Sequence, residues 1–344
     1  MDETQTDQEN QELKSTELTA IIGREKFDLL ADVVGSHAWA DYRKKYDAAA
    51  NLEVITDYPL QIDFELNASC NLRCPMCPIS AESPKGKGKS TWFSFDLYKQ
   101  IVSDGVRRGL RAIKLNYVNE PLIRNDLHEF IRFAREAGVI DVYLSTNGVL
   151  MTPKIIRQLI EAGLTRIQIS IDAHTVQVYD QVRPGGDLNK VQKNVEMLMA
   201  IRKDAGSVTP LVRVNFVRTE LNEEQLPEFV AYWKDRVDMI GIQEYVKPPK
   251  ASGLLISRTT EHKRVRGFRC SFPFKQLVIT NEHNILPCCT FWGEHLKLAK
   301  CDTPESVAAE WNSDKMKRLR KIHENGEYWR IDTCRQCVEG GLVT

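Results

Sequence analysis

The stretch "LQIDFELNASCNLRCPMC", residues 60–77, decides how the rest of the chain reads. Its first part, "LQIDFEL" (60–66), alternates apolar and polar residues with the period of a β-strand. Its second part sets Cys70, Cys74 and Cys77 at C-x3-C-x2-C spacing within eight residues. A loop at the C-terminal end of a strand can turn all three thiolates inward. Thiolates are soft ligands that suit zinc or an iron–sulfur cluster. Structural zinc asks for a tetrahedral set of four ligands. An iron–sulfur cluster held by three cysteines leaves one iron open to an external ligand.

Working outward, short apolar runs alternate with amphipathic helices from about residue 59. The expected strands are "LQIDFEL" (60–66), "AIKLNYV" (112–118), "DVYLST" (141–146), "RIQISID" (166–172), "LVRVNFV" (211–217) and "MIGIQEY" (239–245). Helical segments such as "DLHEFIRFAREAG" and "TPKIIRQLIEAG" separate several of them and end in Gly, a common helix stop. Such alternation predicts an α/β fold: parallel strands joined by crossover helices in a partial (β/α)6 barrel, with chemistry at the C-terminal strand ends. The expected organisation is a disordered acidic tail at 1–20, a helical extension at 21–58, the barrel core at 59–255, and a small cysteine-rich α+β domain at 256–344 that holds six of the nine cysteines. "SPKGKGKS" (83–90) reads as a mobile loop.

Composition excludes some functions. Lys+Arg and Asp+Glu both number 47, so the chain lacks the basic excess usual in a nucleic-acid binder. No 18-residue apolar run and no apolar N-terminal segment are present, so neither a membrane span nor a signal peptide is expected. A cytoplasmic protein follows, and nine cysteines in a reducing compartment read as metal ligands or redox groups.

The C-x3-C-x2-C loop after the first strand resembles the signature of radical S-adenosylmethionine enzymes, and the resemblance runs over roughly 59–344. It implies that Cys70, Cys74 and Cys77 hold a [4Fe–4S] cluster, with the amino and carboxylate groups of S-adenosylmethionine on the fourth iron. Met76 stands where that family often has an aromatic residue near the adenine. Three further strand ends are similar. "NYVNEPLI" resembles the family's Gly-Gly-Glu-Pro stretch and puts Asn119 and Glu120 near the methionyl ammonium. "LSTNGVL" (144–150) and "ISIDA" (169–173) resemble the next two, which implies cosubstrate contacts from Thr146, Asn147, Ser170 and Asp172. Each also has a plainer reading: "TNG" is a turn, and Glu120 before Pro121 is a helix-start carboxylate. Arg183 in "QVRPGGD" is either a partner for a carboxylate or substrate, or a surface loop cation.

Cys270, Cys288, Cys334 and Cys337 form a second set, C-x17-C and then C-x2-C. "FKQLVITNEHNILP" between the first two reads as a hairpin. Returned by the helix around "WNSDKMKRLRKIHEN", the C-x2-C pair can close four ligands on one site, for zinc or for a cluster. The arrangement resembles the "twitch" form of the SPASM domain, with spacing close to that of 2-deoxy-scyllo-inosamine dehydrogenase. The given sequence continues seven residues past Cys337 without another cysteine, so one auxiliary [4Fe–4S] cluster is expected. Cys289 can substitute for Cys288; otherwise Cys289 and Cys301 are expected to be buried, spare thiols. "SFPFK", Trp292, Tyr245 and Arg213 are candidates for lining a substrate pocket.

The resemblance implies reductive cleavage of S-adenosylmethionine to a 5′-deoxyadenosyl radical, fed by a flavodoxin- or ferredoxin-type electron donor. The favoured reaction is dehydrogenation of a small-molecule sugar or aminocyclitol alcohol. The alternatives are epimerisation or modification of a peptide, and, without catalysis, a zinc-stapled binding protein.

Overall fold

The computed structural model describes residues 19–82, 92–245 and 265–339, so the "SPKGKGKS" loop and the side chain of Trp292 lie outside the described residues. Nine strands form one sheet: β1 (Thr19–Ile22), β2 (Gln61–Phe64), β3 (Ala112–Lys114), β4 (Asp141–Thr146), β5 (Arg166–Ser170), β6 (Leu211–Arg218), β7 (Met239–Glu244), β8 (Gln276–Ile279) and β9 (Ile285–Leu286). Their order is β1-β7-β6-β5-β4-β3-β2-β8-β9. Strands β2 to β7 are parallel, each beside its neighbour in sequence, and correspond to the six strands read from the apolar runs.

Helices between these strands start and stop as their sequences dictate. Thr152 caps Pro153–Glu161 by accepting from the Ile155 amide, and Asp187 caps Leu188–Asp204 by accepting from the Lys190 amide. Gly138, at φ 105°, ends Leu127–Ala137 in the left-handed region. Side chains alternate across the strands. Ile62, Ile113, Leu144, Ile167 and Val214 are fully buried in the apolar core. Asp63, Lys114, Tyr143, Gln168 and Arg213 line an inner cavity of about 900 Å³.

Two sequence expectations need correction. The segment 21–58 is not wholly helical, and the segment 1–20 is not wholly a tail. Thr19–Ile22 pairs antiparallel with β7, and the helix Ser36–Ala50 follows later. This strand covers one open edge of the partial barrel, whose unpaired backbone groups need partners. Trp39 and Tyr42 then pack on Ala112, Leu211 and Met239 and close the barrel floor. At the other edge β8 pairs parallel with β2, so the cysteine-rich region extends the barrel sheet instead of forming a layer of its own. The β8–β9 hairpin is antiparallel, as its sequence predicts.

Candidate active site and auxiliary metal centre

The loop after β2 is a tight turn: the Cys77 amide donates to the Cys74 carbonyl at 2.9 Å, and the Leu72 amide approaches Cys70 Sγ at 3.4 Å. Cys70, Cys74 and Cys77 all line the 900 Å³ cavity. Burial pushes the Cys74 thiol up to about 11, opposed by Arg183, and the Cys77 thiol up to about 12. Three buried thiols close enough to feel one another cannot all ionise without positive charge between them. An iron–sulfur core supplies that charge, so the donor set fits one.

Glu120 sits at the centre of the next layer, 2% exposed. Its Oε1 accepts from Thr146 Oγ1 at 2.7 Å and the Leu122 amide at 3.0 Å, and its Oε2 accepts from the Asn147 amide at 2.8 Å. Glu120 caps the short Pro121–Ile123 helix and also lines the cavity. Burial raises its pKa, while these donors favour the carboxylate. Asn147 Nδ2 donates to Asn71 at 2.8 Å, on the cysteine loop. Asn119 turns its Oδ1 to the Tyr117 amide, and its Nδ2 has no hydrogen-bond partner among the described residues. Ser170 is half-buried on the cavity wall.

Arg183 is not a surface cation. It is 9% exposed, and its Nε and Nη2 donate to Asp172 Oδ2 at 2.9 and 2.5 Å. Asp172 Oδ1 accepts from the Val217 amide at 2.8 Å. Asp172, at φ 61°, is thus committed to orienting Arg183, whose Nη1 stands 3.9 Å from Cys74 Sγ.

Cys270, Cys288, Cys334 and Cys337 line a second, separate cavity walled by Phe268, Pro273, Leu319 and Val338. Cys334 and Cys337 stand one turn apart on the helix Asp332–Glu339. The Cys270 amide donates to His323 Nδ1 at 3.3 Å, and burial lowers that imidazole to about 4. Gly293 leaves room beside the sulfur: a Cβ there would meet Cys288 O at 2.6 Å and Sγ at 3.1 Å. Burial raises the pKa of all four thiols.

Cys288 lines this smaller cavity and Cys289 the larger one. Cys289 is thus placed on the wall of the larger cavity, apart from the four-thiol set. Cys301 is fully buried in the core. Phe272 and Thr290 line both cavities, so the two sites share a wall. Of the other expected pocket residues, Tyr245 and Arg213 line the reaction cavity. Phe272 and Lys275 of "SFPFK" line it too, and sequence reading missed Asn116, Ser145, Gln168 and Asn215. Asn116, Gln168 and Asn215 carried a signal, since each is a polar residue with apolar neighbours on both sides.

A radical SAM superfamily model matches residues 65–231, and an iron–sulfur cluster-binding domain model, SPASM, matches 270–338. The chain belongs to the radical SAM superfamily. A radical SAM chain of this type uses S-adenosylmethionine and [4Fe–4S] clusters, one in the barrel and an auxiliary one in the SPASM domain. The SPASM match decides against zinc for the second cysteine set.

Among curated relatives, the probable GTP 3′,8-cyclase of Methanococcus maripaludis strain C7 is 30% identical over 181 residues, 53% of this radical SAM chain and 57% of the relative. The GTP 3′,8-cyclase of Alkaliphilus oremlandii is 32% identical over 169 residues, 48% of this chain and 50% of the relative. The chain thus spans about half the length of the curated relatives it matches. Among solved structures, BtrN in complex with AdoMet and 2-DOIA aligns at TM-score 0.51 and 18% identity, over 82% of this chain and 94% of that one. Streptococcus suis SuiB bound to S-adenosylmethionine aligns at TM-score 0.62 and 14% identity, over 86% and 76%. At such identities the likeness concerns the fold alone.

Proposed function

We propose that this radical SAM enzyme carries out a two-electron oxidation of a small-molecule alcohol, of the sugar or aminocyclitol type. Cys70, Cys74 and Cys77 would hold the catalytic cluster, and Cys270, Cys288, Cys334 and Cys337 the auxiliary one. Bound together, the catalytic cluster and S-adenosylmethionine supply a 5′-deoxyadenosyl radical that takes a hydrogen atom from the substrate. Glu120 is the partner for the methionyl ammonium, and its fixed donors keep the carboxylate charged and aimed. Arg183 faces the methionyl carboxylate, held by Asp172. Asn119, Thr146, Asn147 and Ser170 complete the polar rim, with Asn71 tying that rim to the cysteine loop. The apolar strand faces and the aromatic floor shut water out, as radical chemistry requires.

The observation that carries the oxidation is the shared wall. Phe272 and Thr290 line both cavities, so an electron from a substrate radical has a short route to the auxiliary centre. A four-thiol set offers no open iron for substrate and suits electron transfer. The substrate would lose one hydrogen atom, one proton and one electron.

Cys289 favours a second reading. A thiol facing the reaction cavity can return a hydrogen atom to the substrate radical, which is what an epimerase needs. Reaction in deuterated water separates the two. A product two hydrogens lighter, formed equally by Cys289→Ala, supports oxidation. A product with one solvent deuterium at an inverted carbon, lost in Cys289→Ala, overturns it in favour of epimerisation. A cyclised product with the substrate's hydrogen count overturns both and matches the name its curated relatives carry.

A further inference from the structure

Beyond the cosubstrate layer the cavity runs deeper into the barrel, and there its charges do not balance. Lys114 on β3, Arg213 on β6 and Lys275 just before β8 all line it. Among the described residues none of the three is in an ion pair. The other cations in the barrel are paired: Arg166 donates to Asp141 at 2.5 and 2.9 Å, and Arg183 to Asp172. Lys275, 7% exposed, lies over ring faces, Tyr46 at 4.9 Å and Phe272 at 5.3 Å. A single carboxylate, Asp63, faces Lys114 and Lys275, and Gln61 already donates to it at 2.6 Å.

Donors here also lack acceptors. Arg213 Nε and Gln276 Nε2 are buried without a hydrogen-bond partner among the described residues, and Gln276 is only 3% exposed. Gly241 on β7 makes the room that Arg213 occupies: a Cβ there would come 3.2 Å from Arg213 Nε and 2.5 Å from Asn215 Oδ1. Burial, reinforced by Arg166, depresses the Arg213 pKa to about 10, a mark of an uncompensated buried cation. Such a cation is costly to hold out of water unless a ligand supplies the missing charge.

We propose that Lys114, Arg213, Lys275 and Gln276 form an anion subsite that holds a phosphate monoester group of the substrate. Three cations against one carboxylate leave a surplus of two positive charges. A phosphate dianion matches that surplus and brings several acceptor oxygens for the orphaned donors. A carboxylate would leave one charge and part of the donor set unanswered. The proposal rests on the reading of this cavity as the reaction site, and it narrows the substrate to a phosphorylated one.

The test is calorimetric titration of the reconstituted holoenzyme with inorganic phosphate, and separately with acetate. Wild type should bind phosphate saturably and more tightly than acetate. Arg213→Gln and Lys114→Gln should each weaken phosphate binding at least about tenfold, the size of one charge-assisted hydrogen bond. Arg213→Lys should recover part of the loss, and Lys154→Gln, exposed on an outer helix, should match wild type. Binding of S-adenosylmethionine should be unchanged throughout. Absence of saturable phosphate binding, equal binding by the cavity variants, or acetate bound as tightly as phosphate would each overturn the proposal. Should Arg213→Gln fail to fold, Lys114→Gln and Lys275→Gln carry the test. Uncoupled cleavage of S-adenosylmethionine is measured alongside. Phosphate binding without that cleavage would sink the proposed function and leave the anion subsite standing.

Discussion

The two cysteine sets of this chain are built on opposite plans. The Cys70–Cys74–Cys77 loop opens onto a cavity of about 900 Å³ rich in carboxylates, amides and guanidinium groups. The Cys270, Cys288, Cys334 and Cys337 set is walled by Phe, Pro, Leu and Val side chains. The first offers three thiols and a polar neighbourhood, so whatever completes its metal must bring polar groups of its own. The second offers four thiols and almost nothing else, so its metal is complete without a substrate. Ligand count and polarity of the surroundings thus differ together, and the proposed function rests on that contrast when it assigns catalysis to the first set and electron transfer to the second.

The largest effect expected from this contrast is at the open set. Cys74→Ala should abolish formation of 5′-deoxyadenosine, a loss of at least about a thousandfold, because each thiol is a third of the ligand set. About four irons should remain per chain, held by the closed set. Chromatography of the nucleoside and an iron assay read both. Full cleavage in this variant would break the comparison outright.

Cys337→Ala should act in the opposite sense. Product should fall by about a hundredfold, while uncoupled cleavage of S-adenosylmethionine stays within several-fold of wild type. A melting curve is needed beside it, since cluster binding there can be part of the folding energy. Equal loss of both activities in a folded variant would mean that the two sites do not divide the work.

Glu120→Gln sharpens the account of the open set. It replaces one charged acceptor by a neutral amide, and charge-assisted bonds are worth about 1.5–3 kcal/mol. Affinity for S-adenosylmethionine, by equilibrium binding, should weaken by about 10- to 100-fold. Undiminished affinity would reduce Glu120 to a helix cap.

The smallest effect is on stability. Burial, outweighing Lys114, raises Asp63 in the reaction cavity to about 6, whereas its unfolded pKa is near 4. Between these values the folded chain keeps a proton that the unfolded chain releases. Stability therefore falls as pH rises through this window, by about 3 kcal/mol in full above it. Asp63→Asn lacks this slope, so its melting temperature should gain a few degrees on wild type between pH 4 and pH 7. A constant difference across that range would show that Asp63 titrates normally.

Sequence by itself determined the elements whose signals are local. The six parallel strands, the hairpin, the helix caps and the C-x3-C-x2-C loop all depend on residues within a few positions of one another. The grouping of Cys270, Cys288, Cys334 and Cys337 was legible too, because spacing and a family resemblance stood in for distance. Tertiary structure alone decided matters that turn on which surface lies opposite. Cys288 and Cys289 are chemically identical neighbours, and only the docking of the hairpin sends one thiol to each cavity. Arg183 in a Pro-Gly-Gly loop looks like a solvated cation until Asp172, eleven residues earlier, is seen to accept from it. Thr19–Ile22 is only four residues long and becomes a strand because β7 presents an unpaired edge. The unpaired charges of Lys114, Arg213 and Lys275 emerge only when the barrel brings β3, β6 and β8 around one cavity. Pairing across a fold is a property of three-dimensional distance, which local sequence patterns do not encode.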